Sequence, residues 1–160
     1  MAKIQPFRGY LPPPDLAKKV SSPPYDVLSS DEAREMVQNN PDSFLRIIKP
    51  EVDYSPGHIP ENKALHHHAA ENLNTFIRSG KLTQDEDPSF YIYQISMDQH
   101  TQTGIVAAVS VQEYNQGLIK KHEFTRPEKE NDRTQHIEIT NANTGPILLT
   151  FRNDGEFQNH

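Results

Sequence analysis

SFYIYQISMDQHTQTGIVAAVSV, residues Ser89 to Val111, is the stretch that decides the fold class. Its first half carries Phe90, Tyr91, Ile92, Tyr93 and Ile95, and its second half carries Ile105, Val106, Ala107, Ala108 and Val109. β-Branched and aromatic side chains suit a pleated, half-buried surface, so the spacing predicts strands over Ser89–Met97 and Gly104–Val111. A polar Asp98-to-Thr103 turn between them makes the pair an antiparallel hairpin.

Upstream, the period changes. Between Glu61 and Ser79, Ala64, Ala69, Leu73, Phe76 and Ile77 recur at roughly helical spacing, and Gly80 stands where a helix end favours glycine. Ser29 with Glu32 fits a capping box that opens a second helix through about Gln38, ended by Asn39, Asn40 and Pro41. Ile4–Tyr10 and Phe44–Ile48 read as short strands, the latter buried and stopped by Pro50, with Val52–Pro60 a loop. Pro12 to Pro14 and Pro23–Pro24 force stiff connections, because proline fixes φ and lacks an N–H. Gly117–Phe124 and Pro146–Phe151 read as two further strands. Helices segregated from hairpins predict an α+β fold: a mixed sheet with a central hairpin and flanking helices.

The chain has 160 residues, the size of one domain, which we assign to residues 1–152, with 153–160 as a tail and the point at which a longer chain is cut. Only 34% of residues are hydrophobic, so the core must draw on every apolar element. Sixteen Lys and Arg against 22 Asp and Glu give a net charge of -6, which disfavours nonspecific attraction to nucleic acid. The absence of cysteine excludes disulfides, thiolate metal sites and cysteine nucleophiles. No run of about 18 apolar residues and no signal-type h-region occurs, which predicts a cytoplasmic protein without a membrane segment. Oligomeric state is left open.

The segment from Lys120 to Asn143 carries the chemistry. Thr125 followed by Glu128 fits a capping box, and Pro127 sits in the first turn, where its missing N–H costs nothing. On the resulting helix Lys129, Arg133, His136, Thr140 and Asn143 fall three or four apart and share a face. With Arg126 at the helix start, whose free N–H groups favour anions, that stripe suits a phosphate or carboxylate. The alternative is a solvated helix held by pairs worth about 0.2–0.5 kcal/mol each. Glu123, between His122 and the Phe124 that leads to Arg126, has the setting of a general base for a hydroxyl. Tyr25 and Asp26, held stiffly by Pro23 and Pro24, are candidates on the substrate side. His66, His67 and His68 cannot converge on one metal from a helix; only His67 and Glu71 have a ligand-type spacing, and no metal site is expected. No Gly-rich phosphate loop, His-Glu-x-x-His helix or Gly-x-Ser-x-Gly elbow is present.

Several of these motifs, in order, resemble the domain of unknown function 1015 family of bacteria and archaea: Pro6–Gly9, Ser22–Val27, Asn40–Leu45, Lys121–Pro127 with Lys129–Glu130 and Asp132–Arg133, and Asn141–Thr144 before Pro146. The chain is similar to the N-terminal portion of its longer members. More loosely, that family is similar to the ParB and sulfiredoxin-like group, which includes kinases of free serine. The resemblance implies a small-molecule phosphotransferase, or its nucleotide-binding domain, using ATP or ADP with Mg²⁺. In that setting Glu123 and His122 would be catalytic, and Arg126, Lys129, Arg133, His136 and Asn143 would hold phosphates. The alternative is a noncatalytic regulatory or assembly domain of ParB-like type.

Overall fold

The computed structural model describes residues 2–121 and 124–150. Strands are β1 Ile4–Gln5, β2 Tyr10–Leu11, β3 Thr83–Gln84, β4 Tyr91–Met97, β5 His100–Val106 and β6 Ala108–Val109. Helices are α1 Ala17–Val20, α2 Ser30–Asn39, α3 Leu45–Ile48, α4 Asn62–Arg78, α5 Val111–Asn115 and α6 Pro127–Thr140, with short 3₁₀ turns at Tyr25–Val27 and Pro50–Asp53. The fold is α+β, as the hairpin and the separate helices predict. Its described strands form three two-stranded antiparallel ladders, β1 with β6, β2 with β3 and β4 with β5, where the sequence suggested one mixed sheet.

The Ile4–Tyr10 strand is broken into pieces. Ile4 pairs with Val109, Phe7 bridges to Ser89 and Tyr10 pairs with Gln84, so the N-terminal segment runs antiparallel past the base of the hairpin. Pro6 cannot donate to a ladder. At Gly9 an added Cβ would lie 2.8 Å from the Tyr91 hydroxyl, which instead accepts from the Gly9 N–H at 2.7 Å. The same hydroxyl donates to Asp85 at 2.6 Å, and the carboxylate raises its pKa. Tyr91 thereby fixes where the hairpin leaves the body of the protein.

Helix α2 begins as predicted. Ser29 Oγ accepts from the Glu32 N–H while the Glu32 carboxylate accepts from the Ser29 hydroxyl and the Ser29 N–H, and those two bonds to the carboxylate hold the Glu32 pKa low. Helix α4 also follows the prediction, ending before Gly80 at φ +73. Leu73 and Phe76 from its inner face pack with Val20, Ile47 and Leu82, and a second cluster joins Ala33, Val37, Leu45, Ile48 and Val52. Phe44 touches both.

Phe44–Ile48 is the clearest departure, a helical turn instead of a strand. Leu45 and Ile48, three apart, enter the cluster under α2, whereas Phe44 and Ile47 reach the cluster under α4. A strand would have paired Leu45 with Ile47 on one face and Phe44 with Ile48 on the other, which splits the members of both clusters. Two other expected strands, Gly117–Phe124 and Pro146–Phe151, form no ladder among the described residues. Residues 117–121 and 124 have no ladder partner, residues 122 and 123 lie outside the described residues, and Gly117 at φ +73 follows the end of α5. Residues 146–150 have no ladder partner, and Phe151 lies outside the described residues.

Around Asp53 a polar cluster ties α3 to α4. Asp53 pairs with Arg46, sits 2.8 Å from His68 Nε2 and accepts from Asn72 at 3.0 Å, while Asn72 also donates to the Arg46 carbonyl at 2.9 Å. Convergence of several partners on one mostly buried carboxylate fixes the angle between the two helices. That angle sets the platform on which α6 lies. No helix among the described residues is long and apolar enough to cross a membrane.

Candidate functional site

Helix α6 starts at Pro127, with Arg126 as the N-cap and no side-chain cap. The capping box expected of Thr125 and Glu128 does not form, because the Thr125 hydroxyl donates to Glu130 at 2.8 Å instead. The Arg126 carbonyl accepts from Lys129 and Glu130, and its side chain is exposed. His122 and Glu123, the two catalytic candidates, lie outside the described residues.

The polar stripe is where the sequence placed it, but most of it faces protein. Its middle packs on α4: His136 is 1% exposed, Thr140 is 8% exposed, and the His136 ring meets the His66 ring edge to face at 5.4 Å. His66 Nε2 lies 3.2 Å from Asp132 Oδ1, outside hydrogen-bonding geometry, and Asp132 in turn takes two contacts from Arg133 at 2.6 and 3.0 Å. His136 Nε2 is 3.2 Å from the Thr144 hydroxyl. Both His66 nitrogens and His136 Nδ1 are buried without a hydrogen-bond partner. Burial, reinforced by Arg133 and His66 and opposed by Asp132, pushes the His136 pKa down to about 4. Burial also lowers that of His66, against the opposing Asp132 charge. His136 is therefore a neutral packing residue, not an exposed anion ligand.

The upper end of the same helix opens on a cleft. Arg133 stacks its guanidinium over the Tyr25 ring, 4.6 Å from the centroid, and Tyr25 packs from below against the α2 cluster. Beside it a cleft of about 470 Å³ is lined by Tyr25, Asp26, Leu28, Lys49 and Lys129. The Pro23–Pro24 turn and the start of α6, a hundred residues apart in sequence, are thus neighbours. Asn143 is not part of this grouping: its side-chain oxygen accepts from Gly145 N past the end of α6.

Lys49 was not singled out in the sequence. It follows the buried turn Leu45–Ile48, and its ammonium is 3.1 Å from Glu51, which also accepts from the Ser30 hydroxyl. The available signal was a cation directly after an apolar run and before Pro50. The three histidines of α4 diverge as expected: His66 turns to α6, His68 to Asp53, and His67 is exposed. Among the described residues no group of three metal-ligating side chains converges.

Tyr25, Asp26, Lys49 and Lys129, with Arg133 against the Tyr25 ring, form a cleft of mixed charge, with Glu51 beside the Lys49 ammonium and Asp132 beside the Arg133 guanidinium. Such a cleft can hold an anion with an aromatic or apolar portion against Tyr25 and Leu28. No curated protein and no solved structure matches the chain. A family profile matches residues 4–160, nearly the full length, and the chain belongs to that family, described as protein of unknown function (DUF1015).

Proposed function

We propose that this domain is a small-molecule phosphotransferase of the serine-kinase type, or the nucleotide-binding part of one, and that phosphate binds in the cleft between Lys49 and Lys129. The observation that carries this reading is the cleft itself: two ammonium groups and the Tyr25-stacked Arg133 gather around a hollow of about 470 Å³. Phosphoryl transfer asks a protein mainly to position groups and neutralise charge. Lys49 and Lys129 supply the charge, Arg133 supplies a planar donor fork, and Tyr25 supplies a flat surface for a ring or hydroxyl compound.

Asp26 is the carboxylate on this lining and suits Mg²⁺, which takes one or two protein carboxylates and fills its remaining positions with phosphate and water. Bound there, the ion would neutralise charge on the phosphate oxygens. Glu123, two residues after Lys121 and three before Arg126, is the proposed base for the substrate hydroxyl.

Isothermal titration with ATP and ADP in the presence of Mg²⁺ tests this reading. Saturable binding is expected, weakened about tenfold by Lys129→Ala through loss of one charge-assisted contact. Phosphorus NMR of the protein with nucleotide and free serine should then show phosphoserine. Binding without transfer would favour a noncatalytic regulatory domain, and no binding would sink the phosphotransferase and its nucleotide-binding version alike.

A further inference from the structure

The hairpin β4–β5 has an apolar face and an unprotected edge that the cleft does not use. Its register is continuous from Tyr91 opposite Val106 to Met97 opposite His100. Alternation therefore puts Tyr91, Tyr93, Ile95, Met97 and Val106 on one face, where the rest of β5 adds Gly104, Gln102 and His100. The other face carries the exposed pair Ile92 and Ile105 at its base and then a polar ladder in which Gln94 donates to Thr103 at 3.2 Å and Ser96 bonds Thr101 at 2.9 Å. An antiparallel sheet with one apolar and one polar face normally covers the apolar one. Here Tyr93 is 58% exposed, Ile95 52% and Met97 74%.

The edge is equally open. Among the described residues β4 is paired only with β5. Natural edge strands are blunted by charge, proline or a bulge. From Phe90 to Met97 there is no charged residue and no proline, and the register contains no bulge. A lone two-stranded hairpin is also marginally stable in water.

We propose that β4 pairs with β4 of a second copy about a two-fold axis at Gln94, giving a four-stranded antiparallel sheet. The hairpin geometry selects this register. With Asp98 and Gln99 as a two-residue loop, Met97 and His100 form a hydrogen-bonded pair, so Tyr91, Tyr93, Ile95 and Met97 direct their backbone groups to β5. Ile92, Gln94 and Ser96 direct theirs outward. An antiparallel partner centred on Gln94 satisfies all three, Gln94 with its own copy and Ile92 with Ser96. It also sets Tyr93 against Ile95 of the second copy in a non-hydrogen-bonded pair, where side chains come closest. Aromatic against β-branched is a favourable cross-strand pair, and the isologous contact closes on itself as a dimer without growing further. The β5 edge fits less well, because Gly104 interrupts it and its remaining residues are mainly Thr, Gln and His.

One strand edge buries less than the roughly 1,200–2,000 Å² of a tight complex, so association is weak and concentration-dependent. Sedimentation equilibrium of the whole chain should show monomer at low micromolar and dimer at roughly hundreds of micromolar concentration. Gln94→Lys places two ammonium groups opposite each other on the axis and should leave a monomer with an unchanged melting transition. Mixing Gln94→Lys with Gln94→Glu should restore dimer as a heterodimer, which an unfolded variant would not do. A wild-type monomer at every concentration overturns the proposal. So does a dimer indifferent to Gln94→Lys, or one abolished by Thr103→Lys alone, which would place pairing on β5.

Discussion

Acidification through His136 alone removes about 3 kcal/mol of folding stability, the free-energy equivalent of moving one histidine from its ordinary pKa to about 4 on folding. The sign follows from burial. The folded state holds His136 neutral, while the unfolded chain protonates it near 6.5, so the unfolded state binds more protons throughout the interval between the two values. Stability is complete above about pH 6.5, falls as pH drops towards 4, and loses nothing further from this group below that. His66, also shifted down, steepens the same slope. Both rings lie in the seam between α4 and α6, so the helix carrying Lys129 and Arg133 is the element expected to loosen first. Urea titrations at several pH values check this against His136→Leu, which has a similar apolar body and no proton to bind. Wild type should lose about 3 kcal/mol relative to the variant from neutral pH to pH 4. Carboxylates such as Asp42, held low by Lys81, titrate equally in both proteins and cancel. Parallel profiles would contradict the buried-pair assignment.

Replacing Arg133 by alanine is expected to weaken nucleotide binding about 10- to 100-fold, or about 1.5–3 kcal/mol, as for a charge-assisted hydrogen bond. The variant acts at two places, since Arg133 also grips Asp132 and depresses both histidine pKa values. Removing it lets both folded-state pKa values rise towards the unfolded value, so the stability lost on acidification should be smaller than in wild type. Arg133→Lys separates these roles. It keeps the charge that depresses the histidines but loses the planar fork over Tyr25, so affinity falls while the pH profile stays near wild type. Equal affinity in all three proteins would remove Arg133 from the site.

Local signals with a single physical solution were legible in the sequence. The Ser29–Glu32 box, Gly80 after α4 and the β4–β5 hairpin each follow from chemistry within a few residues. Phe44–Ile48 was not legible, because four apolar residues in five, around Arg46, fit strand and helix alike, and only the two clusters they must fill decide between them. The hairpin turn was drawn too wide for a related reason: Thr101 and Thr103 look like loop residues until their bonds to Ser96 and Gln94 are seen. At the site, the spacing of Lys129, Arg133 and His136 identified a common face but not what it faces. That depends on α4, whose His66 meets His136 from a position seventy residues earlier. Lys49 was invisible because its role comes from position beside Tyr25 and Lys129, with no motif around it.

Crystals soaked with ADP and Mg²⁺ test the central claim most directly. Phosphate density between Lys49 and Lys129, with the rest of the ligand against Tyr25, is the expected result. Density at another place on the protein, or an empty cleft at a nucleotide concentration that saturates binding in solution, would contradict it.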